Sequence, residues 1–286
     1  MARTAFLLST LHRLAAGQPQ SCPYCSSANT VLLQRKKVLL ELRRCQDCFL
    51  MYRYPKDNAR TNLAYYQTHY RQGMTTEVPT PAELARLLAT NFRGTEKDLS
   101  QNVRIVQEQC AMGRLLDYGC SWGYGVYQFC RSGYEAIGFE ISKPRADYGR
   151  RHLQVTILDD VAALEKLPPA SFDVIHSSHV LEHLPEPRQS LMTFERLLNP
   201  SGVLVIFVPN AGSKNARKLG VRWGPMICEK HCLALDAEFL AQVLPEFGFR
   251  PKFASSPYTA PFGEFSFLNA DGELLGGDEL AVVAVR

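Results

Sequence analysis

The run Leu115-Leu116-Asp117-Tyr118-Gly119-Cys120-Ser121-Trp122-Gly123-Tyr124-Gly125 constrains this chain more than any other segment. Apolar residues that read as a strand end in a carboxylate, a glycine-bearing turn follows, and a helix begins. In a parallel α/β sheet the carboxyl end of the first strand is the usual ligand crevice, and glycine there lets the main chain approach a ligand with no Cβ in the way. A dinucleotide-binding turn uses Gly-x-Gly-x-x-Gly to hold a pyrophosphate on its amides. Here Gly119, Gly123 and Gly125 are spaced differently, and Asp117 stands at the lip. A carboxylate there repels phosphate and suits a ligand carrying an amino group or a sulfonium.

Strand and helix patterns alternate after this turn: strand Ala136 to Glu140, helix Lys143 to His152, strands Val155 to Leu158 and Phe172 to His176, helix Arg188 to Leu198, strand Gly202 to Val208. A helix Asp236 to Phe247, a strand Phe249 to Ala254 and a last apolar strand Leu280 to Val285 complete the pattern. It predicts an α/β fold with a mostly parallel sheet and helices on both faces. Ahead of it, Tyr65, Tyr66, His69 and Tyr70 fall in a helix-like stretch, and Pro79 and Pro81 mark a break before a helix over Ala82 to Leu88. The expected organisation is a lead-in helix and metal ribbon over residues 1–60, a helical linker over 61–110 and the α/β domain over 111–286.

The glycine turn resembles motif I, Asp-x-Gly-x-Gly-x-Gly, of the class I S-adenosylmethionine-dependent methyltransferases, with Ser121 where that family usually has its second glycine. The segment Phe172 to Pro187, Leu198-Asn199-Pro200-Ser201-Gly202, Val208-Pro209-Asn210, His231 and Phe247-Gly248-Phe249 also match the family pattern. The resemblance implies a Rossmann-like seven-stranded sheet closed by a reversed hairpin. It also implies S-adenosylmethionine over Asp117, Gly119, Cys120 and Gly123, and Asp159 and Asp160 against the adenine. Glu140, 23 residues after Asp117, can accept both ribose hydroxyls. Methyl transfer needs a base only when the acceptor carries a proton at attack. The candidates are His183 with Glu182, then His179, with His231 and Tyr70 able to reach the same mouth.

Cys22-Pro23-Tyr24-Cys25 and Cys45-Gln46-Asp47-Cys48 are two C-x2-C pairs with nineteen residues between them, a spacing that brings four thiolates into one tetrahedral, structural zinc site. Ser26 and Phe49 stand where each such knuckle normally has glycine, and Thr30 to Arg44 reads as two strands. Five further cysteines, Cys110, Cys120, Cys130, Cys228 and Cys232, read as small buried hydrophobes. Cys228 to Cys232 offers too few spaced ligands for a second metal site.

The apolar run Ala5 to Leu11 is broken by His12 and Arg13, a poor secretory segment and too short to span a membrane, so the expected compartment is the cytoplasm. The net charge of +4 is uneven: residues 1–60 carry +7 and the remainder −3. With the ribbon in front, the resemblance is closest to zinc-ribbon methyltransferases acting on sugars or other small metabolites, with an acceptor that can be anionic. Two other readings remain. An RNA methyltransferase would dock through the basic ribbon, although His176-Ser177-Ser178-His179 replaces the Asn/Asp-Pro-Pro-Tyr/Phe segment of base-amine methylation. A non-catalytic partner subunit would only bind the cofactor.

Overall fold

The computed structural model describes residues 2–59, 77–265 and 274–286, so the helix expected around Tyr65 to Tyr70 lies outside the described residues. The chain begins with helix α1 (Ala2–Ala15) and strands β1 (Thr30–Lys36), β2 (Leu40–Cys45) and β3 (Met51–Tyr54). Then come α2 (Pro81–Ala89), α3 (Ser100–Gln109), β4 (Arg114–Tyr118), α4 (Tyr124–Arg131), β5 (Glu135–Phe139), α5 (Lys143–His152), β6 (Ile157–Leu158), α6 (Val161–Glu165) and β7 (Phe172–Ser178). The rest is a 3-10 turn at Leu181–His183, α7 (Pro187–Leu197), β8 (Leu198–Pro209), α8 (Lys214–Leu219), β9 (Leu233–Ala234), α9 (Ala237–Val243), β10 (Arg250–Ser255) and β11 (Glu279–Val285).

Seven strands form one sheet in the order β10-β11-β8-β7-β4-β5-β6. Strand β4 lies parallel to β5 and β7, β5 is parallel to β6, and β10 and β11 form the antiparallel closing pair. The Rossmann-like seven-stranded sheet that the resemblance implies is therefore present. Its strands are nearly continuous apolar runs, as burial on both faces requires: Leu115 and Leu116 of β4 and Val203 to Val208 of β8 are buried.

The chain divides into two compact units that interleave along the sequence, where three consecutive segments were expected. One holds Met1–Asn62, Ser178–Glu195 and Ile206–Val285; the other holds Leu63–Ser177, Arg196–Val205 and Arg286. In the first, β1, β2, β3 and β9 make a second, antiparallel sheet, with Met51 opposite Ala234 and Tyr52 opposite Leu233. Its apolar face packs Leu40, Leu42 and Met51 with Trp223, Ile227 and Ala234.

Several elements differ from their expected bounds for local reasons. The helix expected over Asp236 to Phe247 is α9 followed by a 3-10 turn at Leu244–Phe247, because Pro245 has no N–H to continue the ladder. Gly248, at φ 77°, then closes it. The strand expected over Val155 to Leu158 shrinks to the two residues of β6, and β8 begins at Leu198, directly after α7.

Candidate cofactor and acceptor sites

In the unit that carries β4, Asp117 is buried and its Oδ1 accepts a hydrogen bond from His176 Nδ1 at 2.8 Å. Asn102 Nδ2 lies 3.2 Å from His176 Nε2, which fixes the tautomer that donates to Asp117. Gly125 has no room for a side chain because Asp117 Oδ2 lies 2.4 Å from where its Cβ would stand. The strand-end carboxylate, the histidine of β7 and the glycine of α4 are therefore one interlocked unit.

The turn itself bends through Gly119 (φ 83°), Ser121 (φ 52°) and Gly123 (φ 81°). The amides of Gly119 and Cys120 both donate to Phe139 O, at 2.7 and 3.1 Å, which ties the turn to the end of β5. Glu140 follows that end, and its carboxylate clamps the turn: Oε2 accepts Ser121 N–H at 3.0 Å and Oε1 accepts Ser142 N–H at 2.7 Å. Burial pushes the Glu140 carboxyl up, against the pull of these amides and of the Arg145 guanidinium. Arg145 also donates to Ser121 Oγ at 3.0 Å.

Three other residues expected beside the cofactor have partners within the protein. The Cys120 side chain turns inward, its Sγ 2.3 Å from where a Cβ on Gly138 would stand, and burial pushes its thiol well up. Asp160 caps α6 by accepting from Ala162 N–H at 3.1 Å. Asp159 pairs with Arg150 at 2.8 Å. A carboxylate that follows a strand and precedes a helix serves the helix start first.

The other unit holds the histidines and Glu182. His179 has φ 55°, its amide bonded to Phe207 O at 2.8 Å, and its ring reaches two carboxylates: Nε2 lies 2.6 Å from Glu279 Oε2 and Nδ1 lies 3.5 Å from Glu182 Oε1. Burial opposes the charge on His179, but Glu182 and Glu279 push it up to about 10. Tyr258 donates to the same Glu279. Neither Glu279 nor Tyr258 was visible as a site residue, since they lie far along the chain from His179. Glu182 is 2% exposed, and neither of its carboxylate oxygens has a hydrogen-bond donor among the described residues. Burial works against its charge, yet the surrounding imidazoles pull its carboxyl below the usual range.

His183 donates from Nδ1 to Lys230 O at 3.0 Å, and its Nε2 faces Glu182 Oε1 at 3.8 Å. His231 donates from Nδ1 to Pro225 O at 2.8 Å, and its ring stands edge-on to that of His183, centroids 4.7 Å apart. Burial pushes both imidazoles down, that of His231 to about 4. The backbone joins the pieces, because Cys232 N–H donates to Glu182 O at 3.0 Å. Tyr70, expected at this mouth, lies outside the described residues.

In the same unit Cys22, Cys25, Cys45 and Cys48 bring their sulfurs within 4.8 Å of one another, with Cys22–Cys48 and Cys25–Cys45 at 3.5 Å. Tetrahedral ligation at about 2.3 Å puts sulfurs somewhat under 4 Å apart, so the cluster fits a zinc ion. Four arginines of the basic front are engaged within the protein. Arg53 is buried and donates to Cys228 O and Asp57; Arg13 pairs with Asp57, Arg43 with Glu41, and Arg44 with Glu238. Among the described residues no helix is long and apolar enough to cross a membrane.

With this geometry in view, the chain belongs to the methyltransferase-domain family, whose sequence model matches residues 68–251. A ubiquinone biosynthesis O-methyltransferase from Alkalilimnicola ehrlichii is 28% identical over 149 residues, covering 48% of this chain and 54% of that protein. The chain thus spans about half the length of the curated relatives it matches. Two solved structures share the fold. One is a SAM-dependent methyltransferase from Archaeoglobus fulgidus (TM-score 0.51, 20% identity, 71% of this chain and 99% of that one). The other is a SAM-dependent methyltransferase from Thermotoga maritima, described as a possible histamine N-methyltransferase (TM-score 0.52, 17% identity, 72% of this chain and 95% of that one).

Proposed function

We propose that this chain transfers the methyl group of S-adenosylmethionine to an oxygen or carbon of a small acceptor, a sugar, nucleotide sugar or related glycan-pathway metabolite. The observation that carries the reading is the glycine turn bound to Phe139 O and clamped by Glu140, beside a buried Asp117. When bound, S-adenosylmethionine supplies a methyl group on a positively charged sulfur. Asp117 offsets charge on the amino-acid end. Glu140 keeps lone pairs for ribose hydroxyls beyond the two amides it already accepts, since a carboxylate offers about four acceptor sites.

Transfer is an in-line displacement in which the carbon–sulfur bond breaks as the bond to the acceptor forms, so holding the partners in line supplies much of the rate. The acceptor's proton goes to the His183 imidazole, which the Nδ1 bond to Lys230 O orients. Glu182 stabilises the imidazolium that results. His179, pushed up to about 10, already holds its proton at neutral pH and is better suited to fixing Glu182 and Glu279 than to accepting one. An oxygen acceptor is favoured by the name of the A. ehrlichii relative. The internal pairing of Arg13, Arg43, Arg44 and Arg53 weighs against RNA docking through the front. Cys22, Cys25, Cys45 and Cys48 hold one zinc whose four protein ligands leave it a purely structural role.

The test is calorimetric binding of S-adenosylmethionine, followed by transfer of a labelled methyl group to nucleotide sugars, glycans, phenolic quinone precursors and RNA. Label in the sugar pool supports the full reading, and label in phenols keeps the reaction but moves the acceptor class. No cofactor binding, or label only in RNA, overturns it.

A further inference from the structure

We propose that Glu182, His183 and His231 form a second metal site, one that takes a divalent transition-metal ion through two imidazoles and a carboxylate. One ligand atom from each lies within 4.8 Å of the others. All three residues belong to the same compact unit, and the Cys232 N–H to Glu182 O bond holds their two chain segments together.

The hydrogen bonds that hold the two imidazoles point the same way. A histidine that ligates a metal almost always donates its other ring N–H to a carbonyl or carboxylate, which orients the ring and fixes the tautomer. Both histidines do this, His183 to Lys230 O at 3.0 Å and His231 to Pro225 O at 2.8 Å, so each turns Nε2 toward the cluster. The perpendicular rings suit two imidazoles approaching one point from different directions.

Glu182 is the independent observation. A carboxylate 2% exposed whose two oxygens lack any hydrogen-bond donor among the described residues carries a large desolvation cost. His179 at 3.5 Å meets that cost only in part, because its imidazolium also serves Glu279 at 2.6 Å. A dication between Glu182 and the two Nε2 atoms supplies the missing charge. Two imidazoles and one carboxylate suit zinc, cobalt, manganese or ferrous iron, and three protein ligands leave positions open. The sequence hid the site because its ligands come from two stretches roughly fifty residues apart, and the Cys228 to Cys232 segment alone offers too few.

The inference deepens the reading of the same cluster without depending on methyl transfer for its test. An ion on His183 Nε2 excludes a proton there, so the proton-accepting role of His183 belongs to the protein free of this ion, and loading the site switches that role off.

Full-length protein is loaded with cobalt and followed by metal analysis and absorption. The four-cysteine cluster reports as an intense near-ultraviolet thiolate band with strong visible bands of its own, and the new site as additional, weaker visible bands of nitrogen and oxygen ligation at shorter wavelength. The expected result is two ions per chain, with Glu182→Gln, His183→Ala and His231→Ala each losing those additional visible bands and weakening the second ion at least tenfold. The thiolate band persists in all three and shows that the unit remains folded. Should an alanine variant lose that band, the near-isosteric Glu182→Gln carries the test, because it keeps the side-chain volume and removes only the charge and one ligating oxygen. One ion per chain in the parent protein, or visible bands unchanged in all variants, overturns the proposal. Cobalt bound by protein that does not bind S-adenosylmethionine would sink the proposed function and leave this site standing.

Discussion

Ser26, Phe49 and Ser121 hold φ values of 62°, 67° and 52°, and all three occupy places where a glycine was expected from the motif. The missing glycines therefore mark local strain rather than an altered loop path, since a left-handed residue with a Cβ costs on the order of 1 kcal/mol. Exposed Ser26, at the first knuckle, gives the cleanest test: Ser26→Gly should raise unfolding free energy by about 1 kcal/mol, read as a denaturant midpoint shift at constant slope. Asp236 carries a different burden. Burial pushes its carboxyl up to about 6 from an ordinary 3.8. A group raised on folding contributes stability that is fully present below the unfolded value and is lost as pH rises through the folded one. Asp236→Asn keeps a side-chain oxygen for the Phe239 amide and removes the charge, so it should be more stable than the parent at pH 8, by up to about 3 kcal/mol, and lose that advantage toward pH 4. Thermal melts across this range check it, and a difference independent of pH would count against burial as the cause. For the chemistry, His183→Ala should bind S-adenosylmethionine normally and lose transfer by roughly 10²- to 10⁴-fold, measured as single-turnover rate against cofactor affinity.

At the scale of elements, the legible parts were those whose signal is local. The glycine turn, the four cysteines and the apolar strands sit in short windows and could be read directly, and Asp117 and Glu140 stood out as candidates because a strand end is a local event. Strand β9 was not legible: two residues, Leu233 and Ala234, have no periodicity of their own and become a strand only by pairing with β3. The partners of His179 were hidden for the same reason, because Glu279 reaches it from β11. The segment leading into β9 is tied down by Arg53, whose guanidinium donates to the carbonyls of Cys228 and His231 and to Asp57. Arg53→Met removes one partner from a buried pair and should cost about 3–5 kcal/mol. Hydrogen exchange would show the loss first at the Cys232 amide and its neighbours.

At the scale of the molecule, the unit with the four-cysteine cluster draws on Met1–Asn62, Ser178–Glu195 and Ile206–Val285. Stripping the zinc proposed for these cysteines with a strong chelator should therefore reach beyond the knuckles. Exchange protection should fall along β2 and β3 and also at Leu233 and Ala234, and protection at Leu233 that survives chelation would show that β9 is held without the front sheet. The pairing of Met51 with Ala234 also sets an order of events during synthesis. As the chain leaves the ribosome, β3 has its β2 neighbour at once, but its other edge waits until most of the protein has been made. For that interval the nascent front sheet presents unpaired amides and carbonyls beside apolar Leu40, Leu42 and Met51, the kind of surface to which chaperones bind and along which strands from neighbouring nascent chains can add.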